Sequence, residues 1–169
     1  MALVIIDMQY GFAPTANKAE RGVLKLVRQA KSRREAVFVL TYKGSGRTLE
    51  SILEALKNYP LAFYVQKGHV DGSKPLNRAI KSAWRRGLIQ AFSKMRFCGV
   101  YTSECVQETF LSMCGDAAKS DGHHDKTAIH RRTKMELVAS ACADSWYHPA
   151  ETLRHIRKQR AQFPNLKVA

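Results

Sequence analysis

The sequence predicts an α/β fold in which a mainly parallel sheet is covered on both faces by helices. Two observations carry this. Ala2–Ile6 and Ala36–Tyr42 are nearly unbroken apolar runs rich in β-branched residues, the pattern of strands buried on both faces rather than on one. Amphipathic segments of helical period separate the apolar runs. Alternation of that kind builds βα units, whose crossovers place helices on the sheet.

In chain order, Ala2–Ile6 is the first strand, closed by Asp7. A helix is predicted over 17–33, with Val23, Leu24, Leu26 and Val27 toward its buried side. Ala36–Tyr42 is the second strand, ended by the Gly44-Ser45-Gly46 turn. Thr48 is placed to cap a helix over 48–58. A third strand spans 61–66, a helix 74–86, and a fourth strand 91–98 followed by Gly99. The segment 104–114 is helical in pattern, with Val106, Thr109, Phe110 and Met113 spaced to pack inward. A fifth strand is expected over 136–140, a terminal helix over 148–160, and a short edge strand at Leu166–Val168. The polar, charged, glycine-containing segment 115–134 reads as a surface loop. No repeat or linker divides the chain, so one domain over 1–169 is expected.

A chain of 169 residues, 45% of them hydrophobic, can build one full core. Charged residues at 25% and ordinary glycine and proline content exclude disordered and fibrous classes. The opening residues lack a basic n-region, and no run approaches the roughly 20 apolar residues of a membrane span. The four cysteines, Cys98, Cys105, Cys114 and Cys142, form no C-x-x-C pair, and a reduced, cytoplasmic setting without disulfides or membrane is expected.

The formal net charge is +14. Such a field attracts nucleic acid, anionic membranes or acidic small molecules without choosing among them. From Gly72 to Ser103 there are seven Lys or Arg residues and no Asp or Glu. Lys74, Arg78, Lys81 and Arg85 recur three or four positions apart, on one helical face, opposite Leu76, Ile80, Ala83 and Trp84. That stripe reads either as a solvated helix face or as a surface for nucleic acid or another polyanion. No motif of a known nucleic-acid module accompanies it.

Ligands of open parallel sheets bind beyond the carboxyl ends of the strands. Three reactive residue types fall there: Asp7 after the first strand, Lys67 after the third, and Cys105 just after the fourth, at the mouth of a helix. A helix start and a nearby ammonium both favour the thiolate, so a lowered Cys105 pKa is expected. Asp7 can take the thiol proton and later deliver it to a leaving amine. Backbone N–H groups at the helix start can hold the oxyanion formed by attack on a carbonyl.

Several segments resemble the isochorismatase-like cysteine hydrolase superfamily, which includes nicotinamidases and N-carbamoylsarcosine amidases. They are Ile5-Ile6-Asp7-Met8-Gln9-Tyr10-Gly11-Phe12, Val65-Gln66-Lys67, the segment from Gly99 through Cys105 to Thr109, and Ala141-Cys142-Ala143-Asp144-Ser145. The resemblance implies a three-layer α/β/α sandwich with a six-stranded sheet, an Asp7–Lys67–Cys105 triad and a covalent thioester-type intermediate. It implies an oxyanion site from the N–H groups of Tyr101 and Cys105, and a cis peptide at Val100–Tyr101. Gln9 and Phe12 then line or support the pocket, and Asp144 orders loops beside it. A loop-capping role also accounts for Gln9. Tyr42 and Tyr101 either shape an aromatic slot or pack, and His69 is either a pocket residue or an ordinary loop histidine.

The sequence departs from the family's pattern in one place. Nicotinamidases carry an acid and histidines after the second strand that bind a metal; here Thr41-Tyr42-Lys43-Gly44-Ser45-Gly46-Arg47 has neither. No metal site and no cofactor are therefore expected. His123, His124, Asp125 and His130 are metal-competent types, but they fall in the polar segment and read as an exposed loop. The leading expectation is hydrolysis of a small carboxamide or related C–N substrate by a homo-oligomer. An isochorismatase-like ether hydrolase and a non-catalytic, polyanion-binding protein are the alternatives.

Overall fold

The computed structural model describes residues 1–119, 129, 132–144, 149–158 and 166–169. Its strands are β1 (Ala2–Ile6), β2 (Ala36–Tyr42), β3 (Ala62–Lys67), β4 (Lys94–Gly99), β5 (Lys134–Cys142) and β6 (Leu166–Val168). Its helices are α1 (Ala13–Ser32), α2 (Glu50–Leu56), α3 (Ser73–Arg85), α4 (Gln107–Lys119) and α5 (Pro149–Lys158). The strands form one sheet in the order β3-β2-β1-β4-β5-β6, and every neighbouring pair is parallel. Helices on both faces complete a three-layer α/β/α sandwich.

Alternate residues of β1 feed two separate cores. Ala2, Val4 and Ile6 pack with Phe38, Leu40 and the inner faces of α3, α4 and α5, including Leu76, Ile80, Phe110, Met113 and Ile156. Leu3 and Ile5 pack with Val37, Val39 and the inner faces of α1 and α2, including Val23, Val27 and Ile52. This two-sided burial is why β1 and β2 read as continuous apolar runs. Each fully buried Val, Leu, Ile or Phe stabilises the fold by roughly 1.5–3 kcal/mol.

Several elements differ from expectation: α1 starts at Ala13 rather than at 17, and α4 runs on to Lys119, into the segment read as a loop. β4 begins at Lys94, because Ala91–Ser93 form a loop whose Phe92 ring packs edge-on against Phe38, 6.3 Å between centroids. That loop is held from β5's side: Thr133 Oγ1 donates to the Phe92 carbonyl (2.8 Å) and Lys134 N–H to the Ser93 carbonyl (3.0 Å). β5 is longer than predicted because both added ends join the β4 ladder, Lys134 opposite Lys94 and Cys142 opposite Gly99. Within it the buried Glu136 forms ion pairs with Lys94 at 2.6 Å and Lys167 at 3.6 Å. Thr48 does not cap α2; Leu49 holds the cap position. Thr48 instead forms an antiparallel bridge with Gln9, beside the bond from Leu49 N–H to the Met8 carbonyl (2.9 Å).

At the amino ends of the central strands, Glu35 and Arg96 form a buried ion pair, 2.6 Å between Oε2 and Nη2. Arg96 Nη1 also donates to Gln29 Oε1 on α1 (3.1 Å). No helix among the described residues is long and apolar enough to cross a membrane.

Candidate active site

The carboxyl ends of β1, β3 and β4 lie together at the opposite end of the sheet. β1 stops at Asp7, whose φ of +54° turns the chain out of the strand. Asp is among the few residue types that enter the left-handed region readily. The Asp7 N–H still donates to the Leu40 carbonyl (3.0 Å), so the side chain remains tied to the sheet. Lys67 is the last residue of β3 and pairs with Tyr42 across the β2 ladder.

β4 ends at Gly99, with φ +123° and no space for a side chain: a Cβ there would lie 2.0 Å from the Ile6 carbonyl oxygen. The next peptide, Val100–Tyr101, is cis. The chain then enters a single π-helical turn, Thr102–Val106, closed by Val106 N–H donating to the Tyr101 carbonyl at 3.0 Å. Isolated π turns are frequent at functional sites. Cys105 lies in this turn, immediately before α4. Asp144 braces its start by accepting from the Ser103 N–H at 2.7 Å. Thr102 adds two bonds to the Ala143 carbonyl, from its N–H (3.1 Å) and its hydroxyl (3.0 Å).

These turns bring Asp7, Lys67 and Cys105 into contact. The Lys67 ammonium is 2.8 Å from Asp7 Oδ2 and 3.2 Å from the Cys105 sulfur. It also donates to the carbonyls of His69 and Val70, each at 3.2 Å, and lies 4.7 Å from the centroid of the Tyr42 ring. The Lys67 and Asp7 side chains are wholly buried. Gly72 lets the lysine stem pass, since a Cβ there would meet Lys67 Cδ at 2.9 Å.

The electrostatics reverse one expectation. The Cys105 thiol is pushed up to about 12, first by burial and then by the Asp7 charge and its hydrogen bond, with Lys67 opposing. The Asp7 carboxyl is also raised, by burial first, against the Lys67 charge and hydrogen bonds from Cys105 and Lys67. Burial and the Asp7 charge thus favour the protonated form of the resting sulfur. Lys67 does favour the thiolate, but burial and Asp7 outweigh it.

The supporting residues divide. Gln9 spends its side chain on the turn after β2: Nε2 donates to the carbonyls of Tyr42 (3.1 Å) and Gly46 (2.5 Å), and Oε1 accepts from the Tyr42 N–H (2.6 Å). Phe12 and Tyr101 stack edge to face, 5.4 Å between centroids. The His69 imidazole is exposed and faces a surface pocket; only its carbonyl reaches Lys67. Sequence reasoning missed the Val70 carbonyl and the Gly72–Thr109 contact, where Gly72 N–H donates to Thr109 Oγ1 (2.9 Å). A signal for that contact existed in Asp71-Gly72-Ser73, a helix-start pattern directly after the lysine loop.

The turn after β2 does not fit a divalent ion. Its side chains offer no carboxylate or imidazole, and its Tyr42 and Gly46 carbonyls accept from Gln9. Among the described residues no three His, Cys, Asp or Glu side chains gather as metal ligands. His123, His124, Asp125 and His130 lie outside the described residues.

No protein-family model and no curated protein matches the sequence. Solved structures do match over nearly the whole chain. The nicotinamidase SaPncA of Staphylococcus aureus superposes with a TM-score of 0.73 at 18% identity, covering 99% of this chain and 96% of its own. The chain has the isochorismatase-like fold. The MAR1 ribonuclease of Caenorhabditis elegans shares that fold, with a TM-score of 0.68 at 16% identity, over 93% of this chain and 72% of its own. The YcaC gene product of Escherichia coli, described as an octameric hydrolase of unknown specificity, matches at 0.66 and 17% identity, over 99% and 73%. At these identities the likeness is one of isochorismatase-like fold and carries no substrate with it.

Proposed function

We propose that the protein is a cysteine-dependent hydrolase of a small carboxamide or related C–N substrate. The observation that carries this reading is the buried contact of one ammonium with both a carboxylate and a thiol, 2.8 Å and 3.2 Å away. The similarity in fold to a protein named a nicotinamidase accords with an amide substrate.

In this reading Asp7 takes the Cys105 proton as the sulfur attacks the substrate carbonyl carbon. The carbonyl π electrons move onto oxygen, and the N–H groups of Tyr101 and Cys105 hold that oxyanion. Asp7 then delivers the proton to the nitrogen; the C–N bond breaks, the amine leaves and a thioester remains. Water, deprotonated by Asp7, attacks the thioester. The acid departs, and the sulfur recovers a proton from Asp7. Lys67 keeps the net charge of the Asp7–Cys105 pair near −1 rather than letting two anions accumulate, which is its electrostatic task at each step.

The test is a broad screen of small amides with native protein and C105A, read by amine release and intact mass. Amine release by the native protein alone, with an acyl adduct on Cys105, is expected. Equal turnover by C105A, or cleavage of a vinyl ether without amine release or adduct, would overturn the reading.

A further inference from the structure

Adjoining the site, with Lys67 among its lining residues, a surface pocket of about 300 Å³ opens between the end of β3 and α3. Its walls include Gln66, Gly68, His69, Asp71, Lys74 and Arg78. We propose that this pocket binds a phosphate group, and that its occupancy is felt at Lys67.

Charge and geometry agree on the ligand. Lys74 and Arg78 are four residues apart on α3, so their side chains rise as neighbours on one face. Both are exposed, and among the described residues no carboxylate pairs with either. The acid in the pocket wall, Asp71, keeps its negative charge, but its oxygens are turned to neutral donors and the two cations outweigh it. Asp71 Oδ1 accepts from the Ser73 N–H (2.8 Å), and Oδ2 accepts from the Ser73 and Ser112 hydroxyls (3.0 Å each). Asp71 thus occupies the start of α3 itself, and what remains for a ligand is an ammonium, a guanidinium and an imidazole. A guanidinium fork beside an ammonium matches the several oxygens and multiple charge of a phosphate. The volume, at the lower end of small-ligand pockets, is enough for a phosphate group.

The link to Lys67 is the loop 68–72. Its outer side forms the pocket wall, and its inner side supplies the His69 and Val70 carbonyls that hold the ammonium. A phosphate drawn onto His69, Lys74 and Arg78 pulls on the same few residues. The proposal does not depend on the hydrolase reading, because neither binding nor thiol labelling requires turnover.

The probe is inorganic triphosphate, titrated calorimetrically at low salt into the full chain, native and in two variants of equal charge change, K74E/R78E and K81E/R85E. Saturable binding by the native protein and by K81E/R85E is expected, with at least a tenfold loss in K74E/R78E and in the milder K74Q/R78Q. Triphosphate should also change the rate of iodoacetamide labelling at Cys105 in native protein and not in K74E/R78E. Absence of saturable native binding, or equal losses in both glutamate variants, would overturn the site, the latter by showing only a diffuse field. A single-stranded oligonucleotide distinguishes the phosphate's source. If triphosphate displaces it and both variant pairs weaken it, the phosphate belongs to a nucleic-acid chain running along α3. If only K81E/R85E weakens it, the pocket is not the seat and the proposal fails.

Discussion

The Lys67 ammonium lies 3.2 Å from the Cys105 sulfur, and the thiol nevertheless keeps its proton up to about pH 12. Burial and the adjacent Asp7 carboxylate outweigh the cation. Substitution of either neighbour should therefore move the thiol in opposite directions. In D7N the second-largest cause of the raised value is gone, so iodoacetamide labelling of Cys105 near neutral pH should accelerate while amide turnover is lost. In K67M the opposing cation is gone, and labelling should slow. K67M also leaves Asp7 buried without a partner, at a cost of roughly 3–5 kcal/mol, so D7N/K67M serves as its folded companion. Peptide mass across a pH series reads the result. Identical profiles in native protein and D7N would sink the coupling.

Gly72→Ala tests whether the lysine stem has any slack. The φ of −95° suits any residue, so space alone decides the outcome. An added Cβ would lie 2.6 Å from Leu40 Cδ2 and 2.9 Å from Lys67 Cδ. Overpacking of this kind costs about 1–3 kcal/mol. Displacing Lys67 should slow Cys105 labelling as K67M does. A lowered melting temperature with native labelling would mean that Leu40, and not Lys67, yields.

Gln9→Ala should loosen the turn after β2. It removes both Nε2 donations and leaves the Tyr42 N–H without its acceptor. An orphaned buried donor costs about 1–3 kcal/mol, which for a chain of this size lowers the melting temperature by roughly 2–12 °C. Proteolysis should become faster at Lys43 or Arg47. Unchanged melting and cleavage would show that the turn holds without the amide.

Alkaline pH should destabilise the protein through its thiols. Cys105, Cys114 and Cys142 are each pushed up to about 12 in the folded chain, and Cys98 is raised well above the ordinary thiol value, burial leading in every case. Unfolded thiols titrate near about 8.5. Between about pH 8.5 and 12 the folded state thus holds protons that the unfolded state has lost, and stability falls as pH rises, by at most about 1.4 kcal/mol per pH unit for each thiol. Below about pH 8 both states hold them and the slope vanishes. Denaturant melts at about pH 8, 9 and 10 should show the decline, shallower in C114A by one thiol. A level profile would contradict the burial argument.

Strand positions were legible wherever burial on two faces left a continuous apolar run, as at Ala2–Ile6 and Ala36–Tyr42. The same cue misled at residues 91–93, where Phe92 is apolar because it plugs the core from a loop, not because it pairs in a strand. The three reactive residues were legible because parallel strands deliver their ends to one edge. Their electrostatics were not, since the thiol's pKa depends on depth of burial and on Asp7, which is distant in sequence and adjacent in space. The role of the Lys67 loop was hidden for a further reason: it acts through main-chain carbonyls, which no side-chain motif records.

The two-sided burial of β1 has a cost in information. A strand that is apolar on both faces can slide one residue past its neighbours with little hydrophobic penalty, unlike an alternating strand, whose slip would expose its core face. What forbids the slip here lies at the ends. Arg96 reaches Glu35 across the start of β1, and Gly99 alone can stand against Ile6. A slip of β1 by one residue would press Cys98 or Val100 onto the Ile6 carbonyl, while the ion pair holds β4 in line with β2 on either side of β1. Alignment of the central strands is thus set by one buried ion pair and one missing side chain, and Asp7 and Cys105 inherit their alignment from it.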